Sequence, residues 1–235
     1  GSGKSTTLSA ALNYLNPPEK NIITIEDPVE YQLHGINQVQ ANPQVGLDFA
    51  SALRSILRQD PDIVMVGEIR DEETARIAIR AALTGHLVLS TLHTNDAVSS
   101  ITRLVDMGIE PYLVASTVIG VVAQRLIRRL CGSCKERHEP APEEMVLLGE
   151  IEEKDRFYRA VGCSKCNSTG YRGRIAVHEV LVVDDKVKEL IVRGANEPEI
   201  KDYCIKSGMT SLVQDGIYKY KEGITTYEEL VRVLV

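Results

Sequence analysis

The chain opens with Gly1-Ser2-Gly3-Lys4-Ser5-Thr6, which fits the second half of the phosphate-binding loop GxxxxGK[ST] at every residue present. The first glycine of that pattern would lie upstream of residue 1. Glycines let backbone N–H groups come close to phosphate, and the lysine of the pattern sits against the β- and γ-phosphates. The hydroxyl that follows ligates magnesium. Lys4 and Ser5 fill those two places, and a helix starting near Ser5 would aim its N-terminus at the phosphates. A Gly-Ser lead-in to an ordinary helix explains fewer of these residues.

A second group is Asp62-Ile63-Val64-Met65-Val66-Gly67-Glu68-Ile69-Arg70. Four apolar residues ending in Gly-Glu describe a strand with a carboxylate at its C-terminal edge, where open α/β sheets bind ligands. Glu68 is placed to orient or deprotonate an attacking water. Gly67 stands where most phosphate-loop enzymes carry a magnesium-organising aspartate. A third group, Thr24-Ile25-Glu26-Asp27-Pro28-Val29-Glu30, puts acids directly after a strand. Glu26 and Asp27 can hold magnesium through water, an ion that keeps several waters and takes few carboxylates. The plainer reading is a turn broken by Asp27-Pro28. A fourth, Thr84-Gly85-His86-Leu87-Val88-Leu89-Ser90-Thr91-Leu92-His93, sets one histidine at each end of a strand. His93, at the C-terminal end, can sense a γ-phosphate; His86 lies at the other end, so their roles differ.

Cys131-Gly132-Ser133-Cys134 and Cys163-Ser164-Lys165-Cys166 form two CxxC knuckles separated by residues 135–162. Each pair supplies two thiolates to one tetrahedral zinc, and four protein ligands leave no position open for catalysis. A zinc held there would be structural. Cys204 stands alone in a helical pattern and reads as core.

The elements that must position these groups alternate. Asn21–Ile25, Ile63–Val66 and Leu87–Thr91 read as buried strands. Between them, Phe49, Leu53, Ile56 and Leu57 recur at helical spacing behind an Asp48 cap, and Asp71–Thr84 repeats that pattern up to Gly85. This predicts an α/β core with a parallel sheet covered on both faces. The apolar stretch Leu113–Ala123, interrupted by Ser116, Thr117 and Gly120, suits a buried helix. Arg125-Leu126-Ile127-Arg128-Arg129 reads as a charged strand or helix face. Residues 1–130 are thus expected as the core, 131–173 as a zinc-binding module and 174–235 as a mainly helical segment. The last opens on a strand over Arg174–Val183 and continues with helices at Lys186–Val192, Glu197–Ile205, Ser211–Lys219 and Thr226–Leu234.

With 235 residues, 43% hydrophobic and 26% charged, the chain can bury one good core with a satellite. It contains no apolar run of about 18 residues, and the start lacks a signal-peptide h-region. A cytosolic location is the default expectation. The net charge of −6, with 5% aromatics and no tryptophan, argues against a nucleic-acid surface.

Taken together, GSGKSTTL, ITIEDPVEY, LRSILRQDPDIVMVGEIRD, TGHLVLSTLHTN, the paired CxxC and GYRGRIAVHEVL resemble the secretion ATPase superfamily, over essentially the whole chain. Within it they are similar to the assembly motors of type II secretion and type IV pili. The resemblance implies a RecA-like core, a homo-hexamer, and ATP with magnesium bound at Gly1 to Thr6 near subunit junctions. It assigns Thr24–Glu30 to the family's Asp box, Gly67-Glu68 to its atypical Walker B, and His86 and His93 to its His box. Arg54, Arg58 and Arg70 fall where the family places arginines near the nucleotide. Arg54 and Arg58, one helical turn apart, can face a common acceptor. Retraction motors typically lack the tetracysteine unit, so its presence favours assembly. His178-Glu179 leans towards secretion. The implied partners are an inner-membrane platform protein and assembly proteins facing the cytoplasm, with membrane contact only through them. The family's N-terminal domains lie outside this sequence, so this stretch alone is expected to be a poor ATPase. The competing readings are a zinc-ribbon nucleic-acid motor and a non-catalytic oligomerisation or docking domain.

Overall fold

The computed structural model describes residues 1–149 and 151–234. In chain order the elements begin with α1 (Lys4–Tyr14), β1 (Ile22–Glu26), β2 (Asn37–Gln40), α2 (Phe49–Ile56), β3 (Ile63–Val66) and α3 (Glu72–Leu83). Next come β4 (Leu87–Ser90), α4 (Ala97–Asp106), α5 (Pro111–Thr117), β5 (Gly120–Leu130), β6 (Glu136–Arg137) and α6 (Pro142–Leu148). The chain closes with β7 (Tyr158–Arg159), β8 (Tyr171–Val182), α7 (Asp185–Val192), α8 (Glu197–Lys206), α9 (Leu212–Lys221) and α10 (Tyr227–Leu234). They form two compact units, each discontinuous in sequence, whereas the division read from the sequence is linear. The larger holds Lys4–Val121 and Leu181–Ser207; the smaller holds Gly1–Gly3, Val122–Val180 and Gly208–Val235.

In the larger unit the sheet runs β2-β1-β3-β4, every pair parallel. The period-2 alternation of strands sorts its two faces. Ile22, Ile63 and Met65, with Leu87 and Leu89, pack against Leu8 and Leu12 of α1 and Leu15 just beyond it. The intervening Ile23, Ile25, Val64 and Val66 are also buried, and α2 lies against β1 and β3 while α3 lies against β4. The helices start where the sequence places caps. Asp48 accepts from Ser51 N at 2.7 Å and Asp71 from Thr74 N at 2.8 Å. Gly85 then turns the chain out of α3 with φ +100°. Residues 181–207 join this unit through Lys201, whose Nζ donates to Asp96 at 2.8 Å, and through the packing of α7 on α5.

One expectation fails. Leu113–Ala123 is not a single helix: α5 stops at Thr117, and Gly120 opens the long strand β5. The hydroxyls of Ser116 and Thr117 turn back onto Leu113 O, bonds that end the helix rather than extend it. The arginine-rich stretch 125–129 lies on that strand, with Ile127 buried and Arg125 and Arg128 part-exposed.

In the smaller unit, β5 pairs with β8, and Ile127, Val177, Phe157, Leu148, Tyr220 and Leu230 form the core. Phe157 meets Tyr220 edge-on, ring centres 5.1 Å apart. The Tyr220 hydroxyl donates to the buried Glu144 carboxylate at 2.6 Å, which also takes His138 Nε2 at 3.0 Å. Fully buried Glu229 of α10 clasps β5: Arg128 donates its backbone N and its Nε, each at 2.8 Å, while Arg232 binds from one turn on. Burial opposes the charge on Glu229, but the two arginines and the Arg128 N–H outweigh it and bring its pKa down to about 2 from 4.5. The stability it contributes is therefore present above pH 4.5 and lost as pH falls towards 2. Glu229→Gln is expected to cost about 2 kcal/mol at neutral pH. It should also flatten the acid side of the stability curve, as measured by urea unfolding across that pH range; an unchanged curve would deny the clasp its role.

Candidate functional site

Because β1, β3 and β4 are parallel, their C-terminal ends share one edge of the sheet. That edge collects Glu26 and Asp27, then Gly67-Glu68, then Thr91 to His93. The first turn of α1 adds Lys4 and Ser5. Together these residues line a cleft of about 170 Å³ within the larger unit. The volume is below the roughly 300 Å³ of a complete small-molecule pocket. It suits a phosphate chain rather than a whole nucleotide.

Gly67 sets the geometry of the edge. Its N–H donates to Ile25 O at 2.7 Å, and its carbonyl accepts from Thr91 Oγ1 at 2.8 Å. A β-carbon there would stand 3.2 Å from Ile25 O and 3.4 Å from Glu26 Cα. An aspartate at this position would need β1 to move. The sequence departure at Gly67 thus has a local cause, the close approach of two backbones.

Glu68, the next residue, leaves the strand with its carboxylate 14% exposed. Oε1 pairs with Arg70 Nη2 at 2.5 Å and Oε2 with His93 Nε2 at 2.9 Å. Burial works against the charged form of Glu68, but the Arg70 and His93 contacts outweigh it and hold the carboxyl below its usual range. Glu26 is held from the other side: Oε1 accepts from Thr24 Oγ1 at 2.7 Å and from Gln38 Nε2 at 2.9 Å. Asp27 follows at a cis peptide to Pro28 and is exposed.

The remaining candidates are placed as follows. Thr6 is exposed in the first turn of α1, and Gly1, Ser2 and Gly3 belong to the smaller unit, where Gln124 Nε2 donates to Ser2 O at 2.8 Å. His86 is not brought to the cleft. It sits at the N-terminal end of β4, its Nδ1 3.0 Å from Thr84 Oγ1 and Ala81 O, beside a larger cavity of about 660 Å³ at the opposite sheet edge. Nor are Arg54 and Arg58. Arg54 pairs with Glu73 of α3, and Arg58 is exposed beyond the end of α2 at Ile56. Arg54 lies within α2, and Arg58 follows the αR C-cap residue Leu57. Sequence reasoning missed Gln38, which orients Glu26 from β2; a polar Asn-Gln-Val-Gln run carries no strand signal.

In the smaller unit the four knuckle cysteines converge, all sulfurs within 4.8 Å of one another. Cys131 and Cys163 are 3.9 Å apart, Cys134 and Cys166 3.8 Å, Cys163 and Cys166 3.7 Å. Sulfurs 2.3 Å from a tetrahedral zinc stand about 3.8 Å from each other, so the set fits that ion. The backbone is arranged for thiolate: Cys166 Sγ accepts from Cys163 N at 3.1 Å and from Gly170 N at 3.3 Å. Gly170, at φ +77°, lies so close to Ala160 that a β-carbon would stand 2.6 Å from its side chain. Burial opposes ionisation of Cys166, yet those N–H groups and its neighbours bring it down to about 6, whereas burial first and the other thiols push Cys134 up to about 12. The set is built to share charge with a cation. Cys204 is buried elsewhere, in α8.

A parallel sheet with a lysine-serine helix start and a glutamate at its C-terminal edge defines the phosphate-loop class. Residues 1–232 match the family model described as Type II/IV secretion system protein, and the chain belongs to that family. It is 55% identical to the type IV pilus assembly ATPase PilB of Thermus thermophilus over 98% of this chain and 26% of that protein. It is likewise 55% identical to the type II secretion system ATPase E of Vibrio cholerae, over 99% of this chain and 46% of that one. Among solved structures, the pilus retraction motor PilT with bound ADP superposes with a TM-score of 0.73 at 31% identity, covering 99% of this chain and 58% of that. The chain thus spans half or less of the length of these curated relatives.

Gly67→Ala is expected to destabilise the larger unit by about 1–3 kcal/mol, because β1 must shift to admit the methyl group. Denaturant unfolding of the two proteins measures it; equal stability would show that the edge has room.

Proposed function

We propose that this chain is the ATP-hydrolysing part of a hexameric motor that powers type II secretion or type IV pilus assembly. The observation that carries the reading is the presence of Glu68 in one cleft with Lys4 and Ser5. Lys4 supplies the positive charge for the β- and γ-phosphates, and the α1 N-terminus adds its N–H groups. Ser5, with Glu26 and Asp27 through water, would hold magnesium; these are hard oxygen donors suited to it. When bound, that ion neutralises charge on the phosphates. Glu68 takes the proton of the attacking water, and His93, already on Oε2, fixes the direction of the carboxylate and reports the γ-phosphate end. Gln38 and Thr24 keep Glu26 from swinging.

The parent protein works at the cytoplasmic face of the bacterial inner membrane, reached through a platform protein; no helix among the described residues is long and apolar enough to cross a membrane. Hydrolysis drives motion that adds pilin-like subunits to a filament. The tetracysteine set favours an assembly motor over a retraction motor. Zinc there ties β5 to the loop before β8 and supplies folding energy rather than chemistry.

Two measurements test these assignments. Glu68→Gln in the full-length motor should lower turnover about 100-fold or more while ATP still binds. Undiminished hydrolysis would remove Glu68 from the role of base. Purified protein should carry one zinc per chain by elemental analysis, and Cys166→Ser should lose both the metal and thermal stability; metal-free wild type of unchanged stability would overturn the zinc assignment.

A further inference from the structure

Glu68 meets two exposed side chains, one on each carboxylate oxygen. His93 binds Oε2 from the segment after β4. Arg70 binds Oε1 from a side chain that is 67% exposed, and among the described residues Glu68 is its only hydrogen-bonding or ion-pairing partner. The backbone beneath Arg70 is anchored: Ile69 is buried, and its N–H donates to Thr91 O at 3.0 Å. A fixed root and an exposed head allow the guanidinium to change partner without moving the backbone beneath it. Asp27, which lines the cleft, adds a weaker pull on the same head.

We propose that Arg70 is a nucleotide-responsive latch on Glu68, holding its carboxylate before ATP enters and moving to the phosphates once ATP is bound. The proposal rests on the reading of the cleft as an ATP site and adds regulation to it. A carboxylate gripped by a guanidinium is a poor proton acceptor, which is the opposite of what a general base needs. A triphosphate offers the guanidinium more negative charge and a bidentate set of oxygens than one carboxylate does. Transfer of Arg70 therefore restores the basicity of Glu68 only when a substrate is present. His93 meets the other oxygen, Oε2, so releasing Arg70 from Oε1 does not by itself break that contact. The device limits idle water activation and couples it to occupancy of the phosphate site.

The latch predicts that Glu68 and ATP compete for Arg70, which a binding cycle can read without hydrolysis. The probe is the β,γ-imido analogue of ATP with magnesium, titrated into the full-length, zinc-loaded motor by calorimetry. Glu68→Gln frees Arg70 and should tighten binding about two- to fivefold. In an Arg70→Gln background the same change should leave affinity within about a factor of 1.5, the ordinary limit of additivity for uncoupled sites. Arg70→Lys, which keeps the charge, should recover part of the gain. An equal gain with and without Arg70 would mean that Glu68 merely repels the phosphates, and the latch falls. No gain in either background also overturns it. Wild type that fails to bind the analogue at all would instead sink the ATP-site reading, and full hydrolysis by Glu68→Gln the assignment of the base.

Discussion

The contact on which the site depends is the meeting of β1 and β3 at Gly67. The Gly67 N–H donates to Ile25 O, and a side chain there would press on the carbonyl of Ile25 and the backbone of Glu26. That one approach brings the acidic turn after β1 and the glutamate after β3 to the same edge, and Thr91 locks β4 to it through the Gly67 carbonyl. Each strand then needs only its own cross-strand bonds to deliver its functional residue. The absence of a side chain at Gly67 is a packing condition of the cleft.

The cleft itself is acidic and charge-matched in its own way. Glu26, Asp27, Glu30 and Glu68 stand around a single loop lysine, with Arg70 and His93 spent on Glu68. Such a site holds little net attraction for a polyphosphate until a divalent cation offsets the carboxylates or a guanidinium changes partner. Electrostatics of this kind favour a switchable site over a permanently open one.

Much of this was legible in the sequence because the information is local. The helix starts at Asp48 and Asp71, the strand Ile63–Val66 and the paired cysteines all announce themselves within a few residues. What could not be read is what depends on partners distant along the chain. β2 is an exposed polar strand that exists only by pairing with β1, so Gln38 went unseen. The stretch Leu113–Ala123 has helical composition, but Gly120 onward is claimed by β8, some fifty residues later. His86 and His93 look equivalent on paper, and only the parallel order of the sheet puts one at Glu68 and the other at the far edge. The clasp of Glu229 on Arg128 joins residues 101 apart and has no local trace.

That clasp bears on the order in which the protein can be made. The smaller unit draws on residues 122–180 and again on 208–235, so its core lacks Tyr220 and Leu230 until α9 and α10 leave the ribosome. The larger unit likewise waits for residues 181–207. Neither can close as its first stretch emerges, because each draws its remaining segment from residues after 180. Knuckle cysteines already emerged would meanwhile be exposed on an unfinished scaffold, where a metal ion bound early would tie the end of β5 to the loop before β8 while the chain catches up.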